Sequence, residues 1–274
     1  MYKAIIKKLQ EQQPLSPAEV EFFLDQTESG KLTSVEQSAI LSMLQCKGVT
    51  ATELGAFVRH FQNQREEVIP FPEAIDVCGT GGSGMNRINT STLSAFILSA
   101  LGVPVAKHGN KAASGRFGSF DLLEKLGVNI EPSGKTLVQL AKQLNLCFLY
   151  ARRHYPVMRH FAPVRSEMGF PTVFNLLGPL LNPSQVKTQI IGTTSKHQMP
   201  LIAATCKKLS KKQVMVVCGK DGLDEVTLTG ATFVTELSEG RIRSYTISPH
   251  SFGVGTASPE DIVGGDARQN TKIA

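Results

Sequence analysis

Ala74-Ile75-Asp76-Val77-Cys78-Gly79-Thr80-Gly81-Gly82-Ser83-Gly84 is an apolar run that stops at a loop with four glycines in six residues. Its β-branched side chains predict a buried strand, and the glycines predict a sharp exit from a sheet. A helical pattern follows from about Ser91 to Leu101, then a second strand at Val103–Ala106. Helices near Phe120–Leu126 and Lys135–Leu144 come next, then apolar runs at Cys147–Ala151, Lys187–Gly192 and Val214–Cys218. Thr232–Leu237 and Arg241–Ile247 read as a hairpin around Ser238-Glu239-Gly240. Strands alternating with helices imply an α/β fold with a mostly parallel sheet.

Upstream of Pro70-Phe71-Pro72 the pattern is helical throughout. Ser16-Pro17-Ala18-Glu19, Thr33-Ser34-Val35-Glu36 and Thr50-Ala51-Thr52-Glu53 each place a hydroxyl three residues before a glutamate, the signature of a capping box. Gly30 and Gly48 predict stops, segment 2–12 a further helix, and Leu54, Phe57, Val58 and Phe61 fall on one face. Short helices cannot bury such a face alone, so they pack on each other, on the rest of the chain or on a partner. The expected organisation is a small helical N-terminal domain at 1–70 and a larger α/β domain at 71–274.

Composition narrows the classes of function. With 41% hydrophobic and 19% charged residues the chain can build a core. No apolar run approaches the roughly 18 residues of a membrane helix, and the start, Met1-Tyr2-Lys3-Ala4-Ile5-Ile6-Lys7-Lys8, lacks a signal-peptide core. Five widely spaced cysteines with no Cys-x-x-Cys argue against a disulfide framework or zinc site, and fit a cytoplasmic protein. The net charge of +6 is uneven: residues 1–70 hold seven basic and nine acidic side chains, leaving 22 and 14 for the remainder. A basic excess there suits an anionic substrate, and equally nucleic acid.

In open α/β sheets, ligands bind where loops leave the carboxyl ends of strands. Gly79–Gly84 matches Gly-x-Gly-x-x-Gly, but the helix starts late, and Lys107-His108 ends the second strand where a ribose-binding acid is expected. Walker A fails because Met85-Asn86 follows Gly84. What survives is a glycine loop whose backbone N–H groups suit a phosphate or pyrophosphate. Asn89-Thr90-Ser91-Thr92 opens the next helix with an amide and three hydroxyls, either a cap or part of an anion cradle. Lys107-His108-Gly109-Asn110-Lys111 and Ser114-Gly115-Arg116-Phe117-Gly118-Ser119 add cations, as do Arg152, Arg153, Arg159 and Arg165. Asp221-Gly222-Leu223-Asp224-Glu225 offers adjacent carboxylates able to hold Mg²⁺. No Ser-His-Asp or Cys-His arrangement is visible.

Taken in order, these segments resemble the anthranilate phosphoribosyltransferase family of tryptophan biosynthesis. The likeness rests on Asp76–Gly82, Asn89–Thr92, Lys107–Asn110, Gly118–Glu124, Arg159–Arg165, Phe174–Pro183 and Asp221–Glu225, and covers nearly the whole chain. It implies the helical-plus-α/β fold shared with nucleoside phosphorylases, and a homodimer formed through the N-terminal helices. It also implies transfer of a phosphoribosyl group from phosphoribosyl pyrophosphate to anthranilate. By position, Gly79, Gly82, Ser83, Arg87, Asn89, Ser91, Thr92, Lys107 and Ser119 would hold phosphoribosyl pyrophosphate. Ser91, Asp224 and Glu225 would hold Mg²⁺. Gly79, Asn110, His154 and Arg165 would meet anthranilate, with His108 a further pocket residue and no covalent nucleophile required.

The chain departs from the family pattern at several points. Ser83 stands where the family has an aspartate, Arg87-Ile88 where it has Thr-Phe, Gly115 where it has serine and Lys111 where it has arginine. Losing an acid and gaining a cation around the pyrophosphate has two readings: tighter anion binding, or an Arg87 that fills the site itself. Gly264–Asn270 resembles the start of a family helix that further helices follow, so apolar surface and self-association are expected where those would pack. Two other functions stay open on the residues alone. One is a nucleoside-phosphorylase-like enzyme; the other is a degenerate paralogue holding nucleic acid or another anion on its basic face.

Overall fold

The computed structural model describes residues 1–85, 87–111, 118–265 and 267–274. Four helices come first: α1 (Tyr2–Gln10), α2 (Pro17–Glu28), α3 (Ser34–Lys47) and α4 (Ala51–Asn63). All three expected capping boxes form, with Ser16, Thr33 and Thr50 each accepting from the glutamate N–H three residues on. Glu53 does more than cap. Its buried carboxylate also accepts the Leu15 N–H at 2.8 Å and pairs with Lys47 at 2.9 Å, tying the α1–α2 connection to α4.

The chain then alternates as the sequence predicts. β1 (Ile75–Gly79), α5 (Thr90–Ala100), β2 (Val105–Gly109), α6 (Ser119–Lys125), α7 (Gly134–Leu144) and β3 (Leu146–Tyr150) form the first half. Short helices α8 (Ala151–His154) and α9 (Ala162–Met168) lead to β4 (Thr188–Gly192), α10 (Met199–Lys208) and β5 (Gln213–Gly219). The hairpin β6 (Thr232–Ser238) and β7 (Arg241–Ile247) precedes a final helix, α11 (Ala267–Ile273). One seven-stranded sheet results, ordered β3-β2-β1-β4-β5-β6-β7 and parallel except for the hairpin.

This order places a switch point at the centre. From β1 the chain builds outward through β2 to β3, then returns across β1 to start β4 beside it. In sheets of this kind the ligand site lies outside the carboxyl ends of the strands at such a switch point, here those of β1 and β4.

The helical segment does not keep its core to itself. Phe57 packs edge-on against Phe23 within the bundle and against Phe174 beyond it, with centroids 6.3 and 6.0 Å apart. Phe61 meets Phe161 at 5.6 Å. One buried cluster runs from Ile5 and Leu9 through these rings to Ile202 on α10 and Val216 on β5. The helices thus bury their apolar faces on one another and on one side of the sheet. Ile97 on α5 and Leu101 just after it remain exposed.

Candidate functional site

Three chain segments converge at the carboxyl ends of β1, β4 and β5, and glycines let them meet. A Cβ at Gly79 would lie 2.3 Å from Asp224 Oδ2, and one at Gly192 1.8 Å from the Asp224 carbonyl oxygen. Only bare backbone lets Asp224 sit there. The glycine loop turns through left-handed φ at Gly81 and Gly82, 70° and 88°. Two of its N–H groups are already committed: Thr80 donates to the Gly192 carbonyl at 2.8 Å and Gly81 to Asp224 Oδ2 at 2.8 Å. The loop is therefore anchored, and less of its backbone faces a ligand than the glycine count suggests.

Lys107 is 2% exposed on β2. Its Nζ donates to the Val77 carbonyl at 2.7 Å and to Ser91 Oγ at 3.1 Å, joining β2, β1 and the first turn of α5. No carboxylate forms an ion pair with it among the described residues. A buried ammonium of this kind favours an arriving anion. Beside it in α5, the Thr92 hydroxyl is buried and has no partner among the described residues.

The next residue, His108, is positioned by a buried polar scaffold. Its N–H donates to Asp76 Oδ1 at 3.1 Å, and its Nδ1 donates to the Gly178 carbonyl at 2.9 Å, which fixes the tautomer. Gln189 Nε2 donates to Asp76 Oδ2 at 3.2 Å and to the Pro179 carbonyl at 2.8 Å. Burial pushes the Asp76 carboxyl above its ordinary range against the pull of Lys107. Burial drives the His108 imidazole down to about 4, so it is neutral at pH 7. His154, at the end of α8, is likewise brought to about 4 by burial, with His108 and Arg153 adding to the effect.

Asn110 and Ser119 are neighbours. The Ser119 hydroxyl donates to the Asn110 carbonyl at 3.2 Å, and a Cβ at Gly109 would lie 2.7 Å from Ser119 Oγ. Arg165 on α9 stands over the Phe174 ring, its guanidinium carbon 5.0 Å from the centroid. Burial lowers its pKa, and it has no carboxylate partner among the described residues. No described hydrogen bond or ion pair joins Arg165 to the glycine-loop cluster. Ser114, Gly115 and Arg116 lie outside the described residues.

Arg87 occupies the position facing Asp224 and Glu225. Its Nε donates to Glu225 Oε1 at 2.9 Å, its Nη1 to Ser83 Oγ at 2.9 Å, and its Nη2 to Asp224 Oδ1. Burial works against the charged guanidinium, yet the two carboxylates hold its pKa above the usual value. Glu225 is raised by burial, with Arg87 opposing. Sequence reasoning missed Gln189 and Gly192. A lone amide in the apolar run Gln189-Ile190-Ile191 was the available signal for the first.

An α/β sheet with a switch-point crevice of glycines, buried lysine and paired carboxylates behind a helical bundle defines a class. Residues 3–64 match the helical bundle domain of a glycosyl transferase family, and residues 72–274 match its a/b domain. An anthranilate phosphoribosyltransferase from Afipia carboxidovorans is 42% identical over 98% of this chain and 80% of its own length. The crystal structure of anthranilate phosphoribosyltransferase from Thermus thermophilus superposes with a TM-score of 0.89 at 35% identity, covering 98% of this chain and 80% of that one. The enzyme from Saccharomyces cerevisiae in complex with PRPP and Mg gives 0.87 at 26% identity, covering 99% and 79%. The chain belongs to this glycosyl transferase family and, within it, to the anthranilate phosphoribosyltransferases.

Proposed function

We propose that the chain transfers the 5-phosphoribosyl group of phosphoribosyl pyrophosphate to the amino group of anthranilate, releasing pyrophosphate. The observation that carries this reading is the meeting of Gly79–Gly82, Lys107 with Ser91, and Asp224–Glu225 at one switch point. In the reaction the C1′–O bond to pyrophosphate breaks, the C1′–N bond forms, and the amine loses a proton. No residue need attack covalently; positioning and charge neutralisation suffice.

In this reading Gly79, Gly82, Asn89, Ser91, Thr92, Lys107 and Ser119 hold the phosphoribosyl pyrophosphate, with Ser83 and Arg87 beside them. The Lys107 ammonium faces the leaving group's charge from a dry position, where it is worth more than in water. Arg165 takes the anthranilate carboxylate as a planar fork. Gly79, Asn110 and His154 line the acceptor pocket with His108, whose neutral ring adds no charge beside the growing cation on the ribose. The donor set of Asp224, Glu225 and Ser91 is all oxygen and fits Mg²⁺. When bound, Mg²⁺ neutralises charge developing on pyrophosphate.

A homodimer through the N-terminal helices fits the exposed Met1 and Val35, and a cytosolic location fits five free cysteines. The test of the activity is loss of anthranilate fluorescence on adding phosphoribosyl pyrophosphate and Mg²⁺, with a Mg²⁺-free control. Mg²⁺-dependent turnover is expected. Folded protein that gives none at any Mg²⁺ concentration overturns the assignment.

A further inference from the structure

The guanidinium of Arg87 sits where a cation would have to sit. Asp224 and Glu225, the carboxylates assigned above to Mg²⁺, are already bridged by it through Nη2 and Nε. Its third arm, Nη1, is held by Ser83 Oγ. The assembly is largely shielded from water: the three charged side chains are 15%, 4% and 19% exposed in the order Arg87, Asp224, Glu225. The guanidinium thus compensates the charge of both acids.

The backbone of Arg87 is clamped from the other side. It forms an antiparallel bridge with Val263, and Asn270 Nδ2 donates to its carbonyl at 3.4 Å. A Cβ at Gly264 would lie 2.2 Å from the Arg87 carbonyl carbon, so that segment fits only as glycine. Any change of partner must come from rotation of the side chain. A divalent ion and a guanidinium cannot share the same carboxylate oxygens, because both need them and each repels the other.

We propose that Arg87 is a built-in competitor for the divalent cation: it holds the Asp224–Glu225 pair until a metal ion displaces it. The proposal rests on the assignment of these two acids to the metal. It selects between the two readings of Arg87 left open by the sequence. In the cation-free protein the guanidinium serves as the site's own counterion, and on displacement it is released beside the glycine loop. Divalent-ion binding is then linked to Arg87 leaving, which sets a threshold concentration for loading the site.

The test is Mn²⁺ binding to the full chain, without substrates, by the electron paramagnetic resonance signal of free Mn²⁺. Arg87→Thr removes the competitor, while Arg87→Lys keeps a charge that cannot bridge both acids and guards against a misfolded threonine variant. Mn²⁺ affinity should rise in the order wild type, Arg87→Lys, Arg87→Thr, by about tenfold or more overall. Adding Glu225→Gln should remove the gain. Equal affinity in wild type and both variants, with binding still lost in Glu225→Gln, overturns the competitor role and leaves the metal assignment standing. Absence of Mn²⁺ binding in every variant overturns both.

Discussion

The helical segment and the loop cluster at the sheet's carboxyl end satisfy their polar groups in opposite ways. In the helices, Ser16 pairs with Glu19, Thr33 with Glu36 and Thr50 with Glu53, each three residues apart. At the crevice, Arg87 reaches Asp224 and Glu225 across 137 and 138 positions, and Gly81 reaches Asp224 across 143. The helices owe their stability to local caps and a deep apolar core. The cluster owes its shape to sheet order, and it concentrates charge that would be costly without a ligand or counterion. The contrast predicts that core changes in one region act on stability, and cation changes in the other on turnover.

The largest expected effect is on Lys107. Lys107→Met keeps the volume and removes the buried ammonium, and should lower kcat/KM about a thousandfold, or about 4 kcal/mol. Steady-state kinetics with a melting curve on the same sample would show whether activity falls without matching loss of fold. A near-normal rate would remove Lys107 from the site. Phe57→Ala probes the other region: deleting a ring at the centre of the shared core should cost about 3 to 4 kcal/mol in urea unfolding. The surviving folded fraction should keep its KM. A variant that binds substrate poorly while melting normally would break the contrast.

The third effect is on pH. His108 and His154 have folded pKa values of about 4, below the ordinary 6.5. Above pH 6.5 both states are neutral and the stability they contribute is fully present. As pH falls from 6.5 toward 4, the unfolded chain takes up protons that the folded chain refuses, so stability drops. Between pH 7 and 5 the loss should be about 2 kcal/mol per histidine. Urea unfolding at both pH values, repeated on His108→Gln, checks this; an unchanged pH dependence in the variant would exclude His108 as a source. The smallest effect is the cap: Thr50→Ala should cost about 1 kcal/mol and leave turnover untouched.

The same contrast explains what was legible beforehand. Helix starts were readable because a hydroxyl and a glutamate three residues apart lie within one turn, and the strand ends were placed within two residues except at β2, which runs on three residues past the expected Ala106 to Gly109. The glycine loop was equally plain. Its internal commitments were not, because the Gly192 carbonyl and the Asp224 carboxylate come beside it only once β4 and β5 have taken their places in the sheet. The departure at Arg87 could be seen in the sequence, but its two readings differed only in a contact spanning half the chain. Gln189 looked like an interruption in a strand, though it supports Asp76 and, through it, His108.

The aromatic chain from Phe23 through Phe57 to Phe174 has a bearing on cooperativity. Because these rings belong at once to the bundle and to the layer under the sheet, neither can lose its partner without opening a face of the other. Heat or denaturant should therefore dismantle both together, in a single transition rather than two. A fragment cut at the prolines after α4 would carry Phe57 and Phe61 to its surface, and would be more prone to aggregate than to stand as a miniature of the whole.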